Sequence, residues 1–133
     1  MSASEWADLL VDPRGIRDFF TTSPDLDQCS LFYCHIDERN TSITLGFDTR
    51  LVPDALLRDD GDTKANAFEF FITFASVTDL HISGWGGSVK RSVRMSRSGR
   101  DGEITLSVES PTERIAFQAQ EARITRARTY LAS

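Results

Sequence analysis

Few residues in this chain have the type and spacing that catalysis or metal binding demands, and each candidate set meets a geometric obstacle. His35 and His81 are the two histidines, far apart in sequence, whereas a zinc centre needs three or four nitrogen, sulfur or carboxylate ligands converging on one point. Each falls in an alternating, strand-like segment, where packing or surface hydrogen bonding is the commoner role. Cys29 and Cys34 lack the two-residue gap of a redox Cys-x-x-Cys pair and the spacing of a zinc knuckle. Cys34 and His35 are adjacent, but neighbouring strand residues face opposite ways and make a poor nucleophile–base pair. No nucleophile elbow or cysteine-protease signature occurs. Asp59, Asp60 and Asp62 around Gly61 have the carboxylate density of a calcium loop without the EF-hand register and its closing glutamate, so a solvated loop is the plainer reading. Gly84 to Ser88 is glycine-rich, yet no Gly-Lys-Ser/Thr follows and it joins strand to strand instead of opening a helix. Acid–base hydrolysis by two carboxylates from distant strands has no positive support. No catalytic residue, metal or cofactor is assigned.

What remains is recognition. Trp85 stands between Gly84 and Gly86, and an aromatic at a loop tip serves either as an interface anchor or as a cap over the open end of a core. Charge is uneven: residues 1–64 hold 13 acids and 6 bases, and residues 65–133 hold 7 acids and 9 bases. An acidic surface attracts a basic partner and speeds encounter, or else keeps a small protein in solution. The net charge of −5 opposes the phosphate attraction on which nucleic-acid binding rests, so DNA and RNA are disfavoured as partners. The candidate partner-binding residues are Asp54, Asp59, Asp60, Asp62 and Trp85.

The elements that would position these residues are mostly strands. Residues 1–22 read as helical, with Ser4 as N-cap and Trp6, Leu9 and Leu10 at apolar-stripe spacing up to Pro13. A second short helix over Gly15–Phe20 would put Ile16, Phe19 and Phe20 on one side. From Cys29 the period becomes two. Phe32, Cys34 and Ile36 predict a strongly apolar strand face, and Ile43, Leu45 and Phe47 predict its hairpin partner after a turn at Glu38–Asn40. Residues 49–64 lose the alternation and form the longest loop, carrying the four aspartates. Phe68, Phe70, Ile72 and Phe74 share one face of what should be the central strand. Further alternation runs through Leu80 and Ile82, through Val89, Arg91, Val93 and Met95, through Ile104, Leu106 and Val108, and through Ile115 and Phe117. The last segment, to Leu131, suits helix or strand, and continuity favours strand. The fold class expected is α+β, mainly β: about eight antiparallel strands over residues 29–131, in a meander, sandwich or barrel-like arrangement, with short N-terminal helices packed on the sheet.

At 133 residues, 40% hydrophobic and 26% charged, the chain fits one ordinary globular domain spanning 1–133, able to bury about two thirds of its unfolded surface. Its first residues have no basic and apolar leader pattern, which argues against a secretory signal. No apolar run approaches the roughly 20 residues of a membrane-spanning helix. Two cysteines read as free thiols point to a reducing, cytoplasmic compartment.

Ser23 to Leu26, the hairpin Leu31–Ile36 with Ile43–Phe47, the loop at Pro53, the strand Phe68–Phe74 and the stretch Val77-x-x-Leu80-x-Ile82-x-Gly84-Trp85 together resemble the Imm50 family of immunity proteins from bacterial polymorphic toxin systems. The resemblance covers most of residues 20–130 and rests on strand pattern, not on a chemical signature. It implies a cytoplasmic, non-enzymatic antidote that binds a cognate toxin domain, and it carries over no catalytic residue. With it, the acidic loop would match a basic, nuclease-like partner. The alternative is a small-ligand-binding protein or enzyme using an interior pocket, which requires a cavity lined by groups such as His35 or His81. Monomer and homodimer are both compatible with the edge strands expected.

Overall fold

The computed structural model describes residues 3–20, 22–50, 66–86, 91–97 and 102–130. The alternating segments become eight antiparallel strands: β1 (Ser30–Asp37), β2 (Ser42–Thr49), β3 (Ala67–Ala75), β4 (Thr78–Ser83), β5 (Ser92–Arg97), β6 (Ile104–Glu109), β7 (Arg114–Ala119) and β8 (Glu121–Tyr130). They form two four-stranded sheets, ordered β1-β2-β3-β8 and β4-β7-β6-β5. Of the arrangements the sequence allowed, the described residues adopt the two-sheet sandwich and form no closed barrel. The final segment is a strand.

One ribbon builds both sheets. β3 pairs with β8 up to Ala75↔Glu121, and β4 pairs with β7 from Thr78↔Gln118. The two pairs are therefore consecutive lengths of one antiparallel ribbon, bent sharply where Ser76, Val77 and Gln120 pass from sheet to sheet. Gln120 N–H donates to the Ala75 carbonyl at 2.9 Å across the bend, and Val77 N–H donates to the Thr41 carbonyl at 2.9 Å. Ser76 takes a φ of 55° there, a left-handed conformation that a non-glycine residue adopts only where its surroundings impose it.

Bending brings the apolar faces together. Phe68, Phe70, Ile72 and Phe74 of β3 meet Ile43, Leu45 and Phe47 of β2 and, from the other sheet, Val93, Ile104, Leu106, Val108, Ile115 and Phe117, all buried. Phe74 and Phe117 touch edge to face across the sandwich, ring centroids 5.1 Å apart. The N-terminal segment closes one side of this core. Trp6 stacks on Phe70 at 5.5 Å while its indole N–H donates to the Pro24 carbonyl at 2.8 Å, so a large apolar ring is buried with its polar atom satisfied. Phe20 packs on Phe68.

Two expectations need correction. The first segment, Ala3–Leu9, is a 3-10 helix, and the α-helix spans Arg14–Arg17 (α1) instead of Gly15–Phe20. Segments this short cannot pay the nucleation cost of an independent helix, and packing sets their conformation. The second concerns β1. Leu31 pairs with Phe47 and Tyr33 with Gly46, leaving Phe32 as the extra residue of a β-bulge. Phe32 is exposed, and Ile36, farther along an edge strand, is exposed too. The alternation of apolar residues was read correctly, but a bulge and an uncovered edge decide whether such residues are buried.

We expect Phe70→Ala to destabilise the protein by about 3–5 kcal/mol in urea unfolding, and Phe32→Ala by about 0.5 kcal/mol, the values typical of a filled core site and of an exposed one. Equal losses would contradict the inside–outside assignment.

A candidate protein-interaction surface

Glycine fixes the geometry around Trp85. Gly84 has a φ of 63°, and a Cβ added there would lie 1.9 Å from the Thr112 carbonyl oxygen, so only glycine lets the chain end of β4 approach the turn before β7. Beyond it Glu113 is buried, and its carboxylate accepts the Gly86 N–H at 2.7 Å and Arg91 Nε at 3.0 Å. Arg91 in turn donates Nη2 to the Gly86 carbonyl at 3.1 Å and Nη1 to the Leu31 carbonyl of β1 at 3.3 Å. Ser110 Oγ accepts the Glu113 N–H at 3.0 Å. A buried ion pair is tolerable only when its remaining donors and acceptors are matched, and this one is matched on several sides. The Arg91 guanidinium also lies 3.9 Å from the centre of the Trp85 ring, a cation–π distance. Trp85 thus keeps 39% of its surface exposed while its position is fixed.

The Arg91 side chain and the Gly86 N–H, in that order, hold the Glu113 carboxyl below its ordinary value of 4.5. A carboxyl with a depressed folded-state pKa stabilises the fold fully above its unfolded value, and loses that contribution as pH falls through the folded value.

From Trp85 an apolar row runs along two edge strands. β1 and β4 each end a sheet, and they come together at both ends. Arg91 joins Leu31 to Trp85 at one end. At the other, Ile36, Asp37, Glu38 and Thr41 line a cleft of about 250 Å³ with Val77, Asp79 and Leu80. Ile36 and Leu80 are exposed along it, Ile82 is exposed farther along β4, and Phe32 and Tyr33 are exposed on the outer side of β1. Phe32 and Tyr33 both pack edge to face on Phe71 of β3. This cluster fits because β2 carries Gly46 beneath it: a Cβ there would lie 2.9 Å from Tyr33 Cβ and 2.7 Å from Phe71 Cε2. Contiguous exposed aromatic and aliphatic side chains mark interaction sites in small proteins.

Of the residues singled out from sequence, Trp85 lies on this row. Asp54, Asp59, Asp60 and Asp62 lie outside the described residues. His35 and His81 are both exposed, on β1 and β4, so neither faces an interior pocket. Among the described residues no three histidine, cysteine or carboxylate side chains could hold a metal ion. Both cysteines are free thiols. Burial pushes the Cys29 thiol up to about 12 and raises that of Cys34 as well, which is the opposite of nucleophile activation. The Arg91–Glu113 pair was not singled out, although a signal existed. Arg91 shares its parity with Val93 and Met95, and Glu113 shares its parity with Ile115 and Phe117; a charge in an inward register implies a partner.

Two outcomes test this geometry. Glu113→Gln should lower the melting temperature at pH 7, with the gap to wild type narrowing as pH is taken below about 4.5; a gap that stays constant into strong acid would show that ionised Glu113 does not hold the network. Iodoacetamide at pH 8 should modify Cys29 only on unfolding, as read by mass spectrometry, because the thiolate is the reacting form; rapid modification of the native protein would contradict the buried thiol.

A sequence-family profile described as Immunity protein 50 (Imm50) matches residues 12–130. No curated protein and no solved structure matches the chain. The matched stretch contains α1, all eight strands, Trp85 with its Arg91–Glu113 support, and both edges of the apolar row. The chain belongs to the Immunity protein 50 family.

Proposed function

We propose that this chain is a cytoplasmic immunity protein of a bacterial polymorphic toxin system, and that it neutralises a cognate toxin domain by direct protein–protein contact without catalysis of its own. The observation that carries the reading, within a family defined by immunity, is the exposed row Phe32, Tyr33, Ile36, Leu80, Ile82 and Trp85 along two neighbouring edge strands. Aromatic residues held rigidly at a surface lose little freedom on binding, so they supply much of an interface's energy. The acids Asp54, Asp59, Asp60 and Asp62 fit the same role from the charge side. They belong to the acid-rich half of the chain and would draw in a basic, nuclease-like toxin domain, raising the association rate.

Co-expression of this protein with the toxic C-terminal domain of a large secreted protein encoded beside it should restore growth, and the two should co-purify. Asp59→Lys with Asp60→Lys should slow association about tenfold at low salt and much less at 0.5 M salt. Rescue untouched by that double change removes the aspartates from the contact and leaves the function standing; failure of both rescue and co-purification, with a toxic and well-expressed neighbour, refutes the immunity reading.

A further inference from the structure

Strands β1, β4, β5 and β8 end the two sheets, and an unpaired strand edge invites another chain to pair with it unless charge, proline or a bulge forbids it. Three of the four are guarded. β8 carries Glu121, Arg123, Arg126 and Arg128, β5 carries Arg94 and Arg97, and β4 is short, holds Asp79 and shifts register between Thr78 and His81. β1 is guarded least: its bulge at Phe32 lies near one end, and beyond it the strand pairs regularly with β2 from Tyr33 to Asp37. From Phe32 to Ile36 it contains no lysine, arginine, carboxylate or proline, and no described strand pairs with its outer side. One end of that edge is closed off, where Arg91 occupies the Leu31 carbonyl, and at the other the strand gives way to the turn after Asp37. The open length is residues 32–36.

A strand laid along this length would send alternate side chains to two different places. One set would enter the cleft between the edges, against Ile36 and Leu80; the other would lie on the outer face beside Tyr33 and Phe71. Both places are already apolar. The cleft end is lined by Asp37, Glu38 and Asp79, and its described lining includes no lysine or arginine, the nearest base in sequence being Arg39. Asp37 is engaged in its own turn by the Arg39 and Asn40 N–H groups and the Asn40 side chain, so a lysine or arginine at the matching end of the incoming segment would meet Glu38 and Asp79.

We propose that β1 is the docking edge for an extended segment of the toxin domain, apolar at alternate positions and basic at the end nearest Asp79, which joins the β1-β2-β3-β8 sheet as a fifth strand. This inference rests on the immunity reading and specifies its contact: main-chain hydrogen bonds supply affinity and the two apolar sites supply register. Glu38 and Asp79 attract the basic residue, and salt weakens that attraction.

The test is amide hydrogen exchange on the full chain, alone and with a catalytically inactive form of the toxin domain it rescues. Amides of residues 32–36 should exchange about tenfold or more slowly in the complex, as expected for newly paired strand backbone. Ile36→Lys, an edge charge of the kind that blocks pairing, should weaken binding about tenfold or more while leaving circular dichroism and melting temperature unchanged. Glu38→Gln with Asp79→Asn, the latter keeping a side chain that accepts the 55° φ at that position, should weaken binding about fivefold at low salt and little at 0.5 M salt. A complex that forms with unchanged exchange at 32–36, or that tolerates Ile36→Lys, overturns strand addition and leaves immunity intact. A double carboxylate change without effect overturns the basic end. Protection of the same amides that grows with protein concentration in the absence of toxin makes the occupant a second copy of this chain and overturns the proposal. Absence of any complex with the wild-type protein removes both readings together.

Discussion

The bend in the β3–β4/β7–β8 ribbon governs the rest of the molecule. A single ribbon passing from one sheet to the other fixes which faces oppose each other, and the two hydrogen bonds at the bend, Gln120 to Ala75 and Val77 to Thr41, fix where the turn falls. Shifting a strand by one residue would send its whole apolar set to the solvent side. With the turn held, Phe74 reaches Phe117 and the phenylalanines of β3 lie over the leucine, isoleucine and valine side chains of β5 to β7. The same bend carries β4 away from β3 toward β1, which is why two sheet edges become neighbours. Among the described residues, the three non-glycine residues with positive φ, Thr41, Ser76 and Asp79, sit at this corner or beside it. The local backbone cost is concentrated where the long-range architecture is decided.

Arg91 and Glu113 perform the corresponding task at the other end of the two edges. An ion pair removed from water gains little net stability compared with an apolar replacement, but it specifies geometry, because each donor accepts only a few partner directions. Here those directions link Trp85 and Gly86, Leu31 and Ser110, residues from three separate parts of the chain. The indole is held by a network that draws on the start of β1, the stretch after β4 and the turn before β7. Its exposure is therefore a property of the fold and not of a loose loop tip.

Much of this was legible before the structure. Period-two patterning located seven of the eight strands from apolar residues alone, and the eighth, β8, followed from continuity even though its arginines blur the pattern. The buried faces of β2, β3, β6 and β7 were read residue by residue, because a strand flanked on both sides has one environment per face. β1 was read too simply. Its Phe32 and Ile36 have core-like identity, but burial depends on what lies across from them, and neither the bulge opposite Gly46 nor the uncovered edge leaves a mark in the local alternation. Tertiary pairings such as Arg91 with Glu113 are also invisible to a local window, and only their inward parity hints at them. Trp85 was found by its glycine neighbours; what those glycines do, namely admit the Thr112 carbonyl at Gly84, required coordinates.

Gly46 has a consequence of a different kind. By letting Tyr33 and Phe71 settle against bare backbone, it gives the outer face of the first sheet a shallow, greasy plateau next to an ungated strand. Such a surface is a colloidal hazard wherever the protein is concentrated. The surplus of acidic side chains, net −5 over 133 residues, counters it by making copies of the chain repel one another at distance. The excess of acids therefore has a physical consequence that does not depend on any partner: it opposes association of the exposed edge with other copies of the chain.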